Sequence, residues 1–148
     1  MIYAAAVDSG YTPASIIKDE PVTYHGGPKG EWSPENYDHK HYGPTRLREA
    51  LVYSRNVVTV KLADEMGVDK VIQFARTIGF EGDMPRNLSI ALGSMGITPL
   101  NLAEAYSVFA SGGVKMKPIA VKYVTDSKGR VLESNDPEGE QVISPETA

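Results

Sequence analysis

The chain has 148 residues, 41% hydrophobic and 23% charged, a profile that fits one ordinary globular domain and excludes a disordered or fibrous chain. Its formal net charge of −4 supplies no sequence-wide basic field, which excludes nucleic acid as the main partner. Cysteine is absent, so thiol nucleophiles, disulfides and Cys-based zinc sites are excluded together, while the compartment stays open.

Residues Ile2 to Ser9 read as the last turns of a helix, with three consecutive alanines and Gly10 where a left-handed C-terminal cap sits. From Tyr11 to Pro44 the composition turns to Gly, Pro, Asp, Asn and aromatic residues, and the reading is a long structured loop with one short strand-like stretch at Pro21 to Tyr24. Thr45 is read as an N-cap for a helix through Leu47, Ala50 and Leu51 that fades at Tyr53 and Ser54. A second helix runs from Asn56 through Val57, Val58, Val60, Leu62 and Met66 until Gly67 stops it, and Asp69 caps a third that reaches Gly79. Thr98-Pro99 is a cap followed by proline at the first helical position, which opens a helix ending at Gly112-Gly113. Alternation then takes over, with Ile119 to Thr125 and Val131 to Glu133 flanking a turn, which predicts a hairpin. Asn135 to Glu140 reads as a polar loop, and Ser144-Pro145-Glu146 as the start of another helix. Both ends read as cut. The first residues have no basic region or apolar core of a signal peptide, and a membrane anchor is expected only in a longer parent protein.

Among short motifs, Ser54-Arg55-Asn56 is the most suggestive, because it places a hydroxyl and a carboxamide between two predicted helices. Taken alone, Ser or Asn at such a boundary most often just caps a helix. Ser15-Ile16-Ile17-Lys18 is a formal Ser-x-x-Lys, the pattern of a serine nucleophile with its lysine base. It is rejected as a nucleophile, since a predicted loop offers no helical turn to bring Lys18 beside Ser15. His39 and His41 could share a face, but with His25 the only other histidine they read as a surface loop and no metal site is assigned. Gly26-Gly27-Pro28-Lys29-Gly30 lacks the spacing and following helix of a phosphate-binding loop and reads as a flexible turn. The carboxylates Asp64, Glu65, Asp8 and Glu49 read as solvated faces. Trp32, Tyr37 and Tyr42 either line a cleft or pin the long loop to the helical body, and pinning is the preferred reading.

The run Tyr42-Gly43-Pro44-Thr45-Arg46-Leu47-Arg48-Glu49-Ala50-Leu51, leading into Ser54-Arg55-Asn56-Val57-Val58, resembles the class A penicillin-binding proteins. The resemblance extends to Ile2-Tyr3-Ala4-Ala5-Ala6, to Ser9 to Ala14, to Trp32-Ser33-Pro34-Glu35-Asn36-Tyr37-Asp38, to Asn87 to Ser94, to Thr98 to Ala103 and to Phe109 to Gly113, so that it covers nearly the whole chain. It implies a helix-rich α+β fold, part of a serine β-lactamase/D,D-peptidase-like domain, with residues 1–148 a fragment of a single transpeptidase domain. The chemistry it implies is acyl transfer through a serine ester, with D-Ala-D-Ala stem peptides of peptidoglycan and β-lactams as partners, no cofactor, and a location outside the cytoplasmic membrane. By carry-over Ser54 is the relay hydroxyl and Asn56 the amide that holds the acyl-side chain of the substrate; Arg55 occupies the variable position. The family's nucleophilic Ser-x-x-Lys is expected before Met1 and its Lys-Thr-Gly after Ser144, so this chain alone is expected to form no acyl-enzyme. A non-catalytic β-lactam sensor or assembly module with the same fold is the alternative. Helix faces stripped of the rest of the domain are expected to favour self-association.

Overall fold

The computed structural model describes residues 1–27 and 30–148, which divide into two compact units. Pro28 and Lys29 of the expected glycine-rich turn lie outside the described residues. The first unit comprises residues 1–76 and 81–96, the second residues 77–80 and 97–148.

The first unit is built on one buried helix. In order it contains α1 (Ile2–Asp8), β1 (Ile16–Asp19), β2 (Tyr24–Gly27), β3 (Gly30–Trp32), β4 (Gly43–Arg46), α2 (Leu47–Val52), α3 (Asn56–Met66), α4 (Val68–Thr77, in this unit to Arg76) and a 3₁₀ helix at Leu88–Leu92. In α3, Val57, Val58, Val60, Leu62 and Ala63 are fully enclosed, while α1, α2, β1 and the 3₁₀ helix pack around it. Three β-branched valines lower the helix propensity of this segment, and burial offsets that at about 1.5–3 kcal/mol per enclosed side chain. Tyr3 of α1 meets Thr59 of α3 through their hydroxyls at 2.8 Å. Gly67, at φ 87, ends α3 as the sequence indicates.

The expected loop from Tyr11 to Pro44 instead contains strands. β1 pairs antiparallel with β4 in the register Ile17↔Thr45 and Asp19↔Gly43, and β2 pairs with β3. Two features hide β1 and β4. In β1 the inward positions are Ile17 and Asp19, so a carboxylate stands where alternation predicts an apolar residue; β4 begins Gly43-Pro44, residues that usually disqualify a strand. The strand-like stretch at Pro21 to Tyr24 contributes only Tyr24 to a strand. Thr45 is therefore no cap: it lies in β4, α2 starts after Arg46, and Glu49 reaches back to accept the Arg46 N–H at 3.4 Å. Asp69 likewise falls inside the first turn of α4, where its charge suits the helix dipole and pairs with Arg86 at 2.6 Å.

In the second unit, α5 (Pro99–Ala110) is followed by β5 (Val114–Met116), β6 (Tyr123–Thr125), β7 (Val131–Ser134) and β8 (Gly139–Gln141). Thr98 caps α5 by accepting the Asn101 N–H at 3.2 Å, with Pro99 in the first turn. β5 lies against α5 and pairs with β8, while β6 and β7 form the hairpin. Asp126 shapes the hairpin turn, accepting from the Lys128 and Arg130 amides at 2.8 and 2.9 Å. The polar stretch Asn135 to Glu140 thus ends inside a strand that hydrophobic patterning could not show, and Ile119 and Val121 fall outside β6. Ile78, Phe80, Ala105, Val108 and Ile143 form this unit's core.

Candidate functional site around Ser54 and Asn56

The turn between α2 and α3 is a Schellman motif. Arg55 N donates to Ala50 O at 2.9 Å and Ser54 N to Leu51 O at 3.2 Å, which satisfies the last carbonyls of α2. The motif requires a left-handed residue at Ser54, whose φ is 51. Glycine ordinarily occupies this position, because a side chain there costs roughly 1–2 kcal/mol. The Ser54 side chain is exposed and has no hydrogen-bond partner among the described residues, so the two main-chain bonds of the turn offset the backbone cost and the hydroxyl adds nothing to them.

Asn56 opens α3 two residues on. Its Nδ2 donates to the main-chain oxygen of Glu35 at 3.0 Å, and its Oδ1 has no partner among the described residues. A hydroxyl that can donate and accept thus stands two positions before a carboxamide whose oxygen is free among the described residues. Between them Arg55 is folded back onto protein. Its guanidinium carbon sits 3.5 Å from the centroid of the Tyr42 ring and 5.5 Å from that of Tyr53, and Nη1 lies 3.4 Å from Asp38 Oδ2. The Tyr42 hydroxyl donates to the same carboxylate oxygen. That bond first, then the Lys40 amide and the Arg55 charge, hold the Asp38 carboxyl below its ordinary range.

Segment 35–42 is anchored from below by Asn36 and Asp19, exposed by only 2% and 1%. Asn36 Nδ2 donates to Asp19 Oδ1 and Oδ2 at 3.0 and 2.8 Å and to Lys40 O at 2.8 Å, while its Oδ1 accepts the Val57 N–H at 3.2 Å. His41 Nδ1 lies 3.3 Å from Asp19 Oδ1. Sequence reasoning missed this pair. Asn36 lies within Trp32 to Asp38, part of the family resemblance, but nothing local marks an Asn or Asp as buried.

The other candidates are dispersed. Ser15 Oγ accepts the Thr12 N–H at 2.9 Å just before β1, and Lys18 is an exposed residue of that strand, so the pair shares no helical turn. His39 pairs with Glu35 and His41 with Asp19, and no cluster of three or more metal-binding side chains occurs among the described residues. The aromatic trio divides: Tyr42 covers Arg55, Trp32 tilts against Tyr24 at 6.1 Å across the β2–β3 pair, and Tyr37 is 96% exposed and pins nothing. A groove of about 190 Å³ beside the site is bordered by Pro21, Pro34, Glu35 and His41.

A family profile described as "Penicillin binding protein transpeptidase domain" matches residues 1–148. The chain belongs to this family. Penicillin-binding protein 1A of Aquifex aeolicus is 42% identical over 99% of this chain and 20% of its own length, and that of Pseudomonas aeruginosa is 38% identical over 92% of this chain and 17% of its own. The chain therefore spans about a fifth of these relatives. The crystal structure of penicillin-binding protein 1A from Haemophilus influenzae superposes with a TM-score of 0.87 at 32% identity, covering 93% of this chain and 21% of that one. Penicillin-binding protein A of Mycobacterium tuberculosis, solved as an imipenem acyl-enzyme complex, superposes at 0.83 with 25% identity over 99% of this chain and 39% of its own. Both the family and the α+β fold inferred from the sequence are those found.

Proposed function

We propose that this chain is part of the transpeptidase domain of a peptidoglycan D,D-transpeptidase, acting on D-Ala-D-Ala stem peptides and acylated by β-lactams on the outer side of the bacterial cytoplasmic membrane. Residues 1–148 are one piece of that single domain, and both units belong to it. The reading rests above all on Ser54. The sequence places at a left-handed position, where glycine is cheaper, an exposed hydroxyl with no partner among the described residues, one residue removed from a hydrogen-bonded carboxamide.

In this proposal the nucleophilic serine and its lysine lie in parts of the parent protein outside this chain. Ser54 Oγ accepts and passes a proton during acyl transfer, and the Asn56 side chain binds the amide of the acyl-side substrate chain. Arg55 stays out of the chemistry and holds segment 35–42 against the turn. Apolar residues left open in each unit, Leu51 and Val52 in the first and Val131 and Leu132 in the second, are covered in the parent by the rest of its domain.

The test is intact-mass spectrometry after incubation with a penicillin, on this chain and on the full-length parent. One acyl adduct on the parent and none on the chain is the expected result. An adduct on Ser15 of the chain would overturn the placement of the nucleophile. No adduct on a folded parent would replace the enzyme by a non-catalytic β-lactam-sensing or assembly module of the same fold.

A further inference from the structure

The geometry points to Asp19 and Asn36 as positioning residues for Asn56, acting through the main-chain carbonyl of Glu35. The inference deepens the proposed function and rests on it, because it takes Asn56 to be a substrate-binding group of the acyl-transfer site.

α3 lacks a side-chain cap of its own. Its N-cap, Arg55, offers no side-chain acceptor to the first-turn amides. The Val57 N–H is instead satisfied by Asn36 Oδ1, 21 residues earlier in the sequence. A distant loop thus caps the helix that carries Asn56, immediately beside that residue. The same Asn36 cannot turn over. Its Nδ2 is consumed by both oxygens of Asp19 and by Lys40 O, so exchanging its oxygen and nitrogen would set two donors face to face at Val57 and an oxygen against a carboxylate.

With Asn36 fixed, the carbonyl of its neighbour Glu35 is fixed as well, and that carbonyl receives one N–H of the Asn56 carboxamide. Holding this N–H sets the plane of the amide and leaves Oδ1 for a ligand. Asp19 supplies the charged end of the chain. It lies in β1, whose register against β4 leads directly into α2, so its carboxylate ties Asn36 to the strand pair that also leads to Ser54. His41 Nδ1 gives Asp19 a further contact from the far end of the segment. A buried carboxylate and amide that satisfy each other rigidify what they join, whereas a flexible loop would leave Asn56 free to rotate.

The experiment is done in the full-length parent, reading the penicillin acylation rate per titratable active site so that unfolded protein does not count. N36A is expected to slow acylation at least about tenfold, the scale on which small displacements of a positioning shell act. If Asn36 works through Asn56, N36A adds nothing in an N56A background. A merely structural role would instead give independent, multiplying effects. An N36A site that acylates at the wild-type rate, or factors for N36A and N56A that multiply, overturns the inference.

Should N36A leave no acylatable protein, the exchange D19N/N36D keeps the inference open to refutation. It restores the carboxamide-to-carboxylate contact between residues 19 and 36 with donor and acceptor interchanged, leaves Lys40 O without its donor as N36D alone also does, and is expected to acylate at least about tenfold faster than N36D alone. Equal rates for the two overturn it. A wild-type parent that is not acylated, or an N56A variant acylated like wild type, overturns the functional reading together with the inference, and is distinguishable because neither observation involves Asn36.

Discussion

Replacing Ser54 by glycine and by alanine separates the backbone of the turn from its chemistry. Both variants delete the same hydroxyl, and that hydroxyl has no partner among the described residues to lose. They differ in the cost of φ 51. Alanine pays the left-handed penalty of roughly 1–2 kcal/mol, from which glycine is exempt. Glycine's freer unfolded chain gives back about 0.4–1 kcal/mol. The glycine variant is therefore expected to be the more stable by about 0.5–1 kcal/mol, opposite to the helix-interior order, in which alanine leads by roughly 1 kcal/mol. For a chain of this size each kcal/mol moves the thermal midpoint by about 2–4 °C, so matched melts and urea curves with unchanged slope resolve the gap. An alanine variant as stable as the glycine variant would refute the left-handed assignment and with it the Schellman turn. Assayed in the parent, both variants are expected to lose acylation alike, by the roughly 10²–10⁴-fold typical of a proton-transfer group. A glycine variant that acylates at full rate would show that the hydroxyl is not used.

Two further predictions concern the surrounding fold. Gly113 has φ 92, and a Cβ there would lie 2.2 Å from the Ile143 carbonyl oxygen. Gly113→Ala is expected to cost roughly 2–5 kcal/mol and to expose the Val142 and Ile143 amides, which donate to Gly113 O, to hydrogen exchange. Unchanged protection of those two amides would contradict the packing of the second unit. Desolvation, with the charges of Asp64 and Glu65 adding to it, pushes the Tyr24 phenol up from 10.0 to about 12. Since the folded state favours the neutral phenol, its contribution to stability is whole below pH 10 and lost as pH rises through about 12. Tyr3 and Tyr11 are also raised by burial, so the phenolate absorbance titration of Tyr24→Phe is expected to lose one late-ionising phenol, that near 12, and to keep the others.

The helices were legible because their signals are local. Apolar spacing from Val57 to Met66 with Gly67 beyond it, and Thr98-Pro99 before α5, mark helices that the structure contains. The β6–β7 hairpin was legible for the same reason, since alternation on both sides of a turn needs no distant partner. Ser54 and Asn56 could be singled out only because the residues around them resemble a family, as their own triplet carries almost no information.

What the sequence by itself determined, then, is the helical order, the hairpin and the family, all read from neighbours along the chain. The tertiary structure alone decided the rest. β1 and β4 exist because they pair across more than twenty intervening residues, and a buried Asp19 interrupts the pattern that would have announced the first of them. Asn36 matters because folding brings it to Val57 and Asp19 at once, a convergence with no trace in spacing. The strain at Ser54 follows from the hydrogen bonds that close α2, since φ is set by where the chain must go next and serine itself does not ask for it.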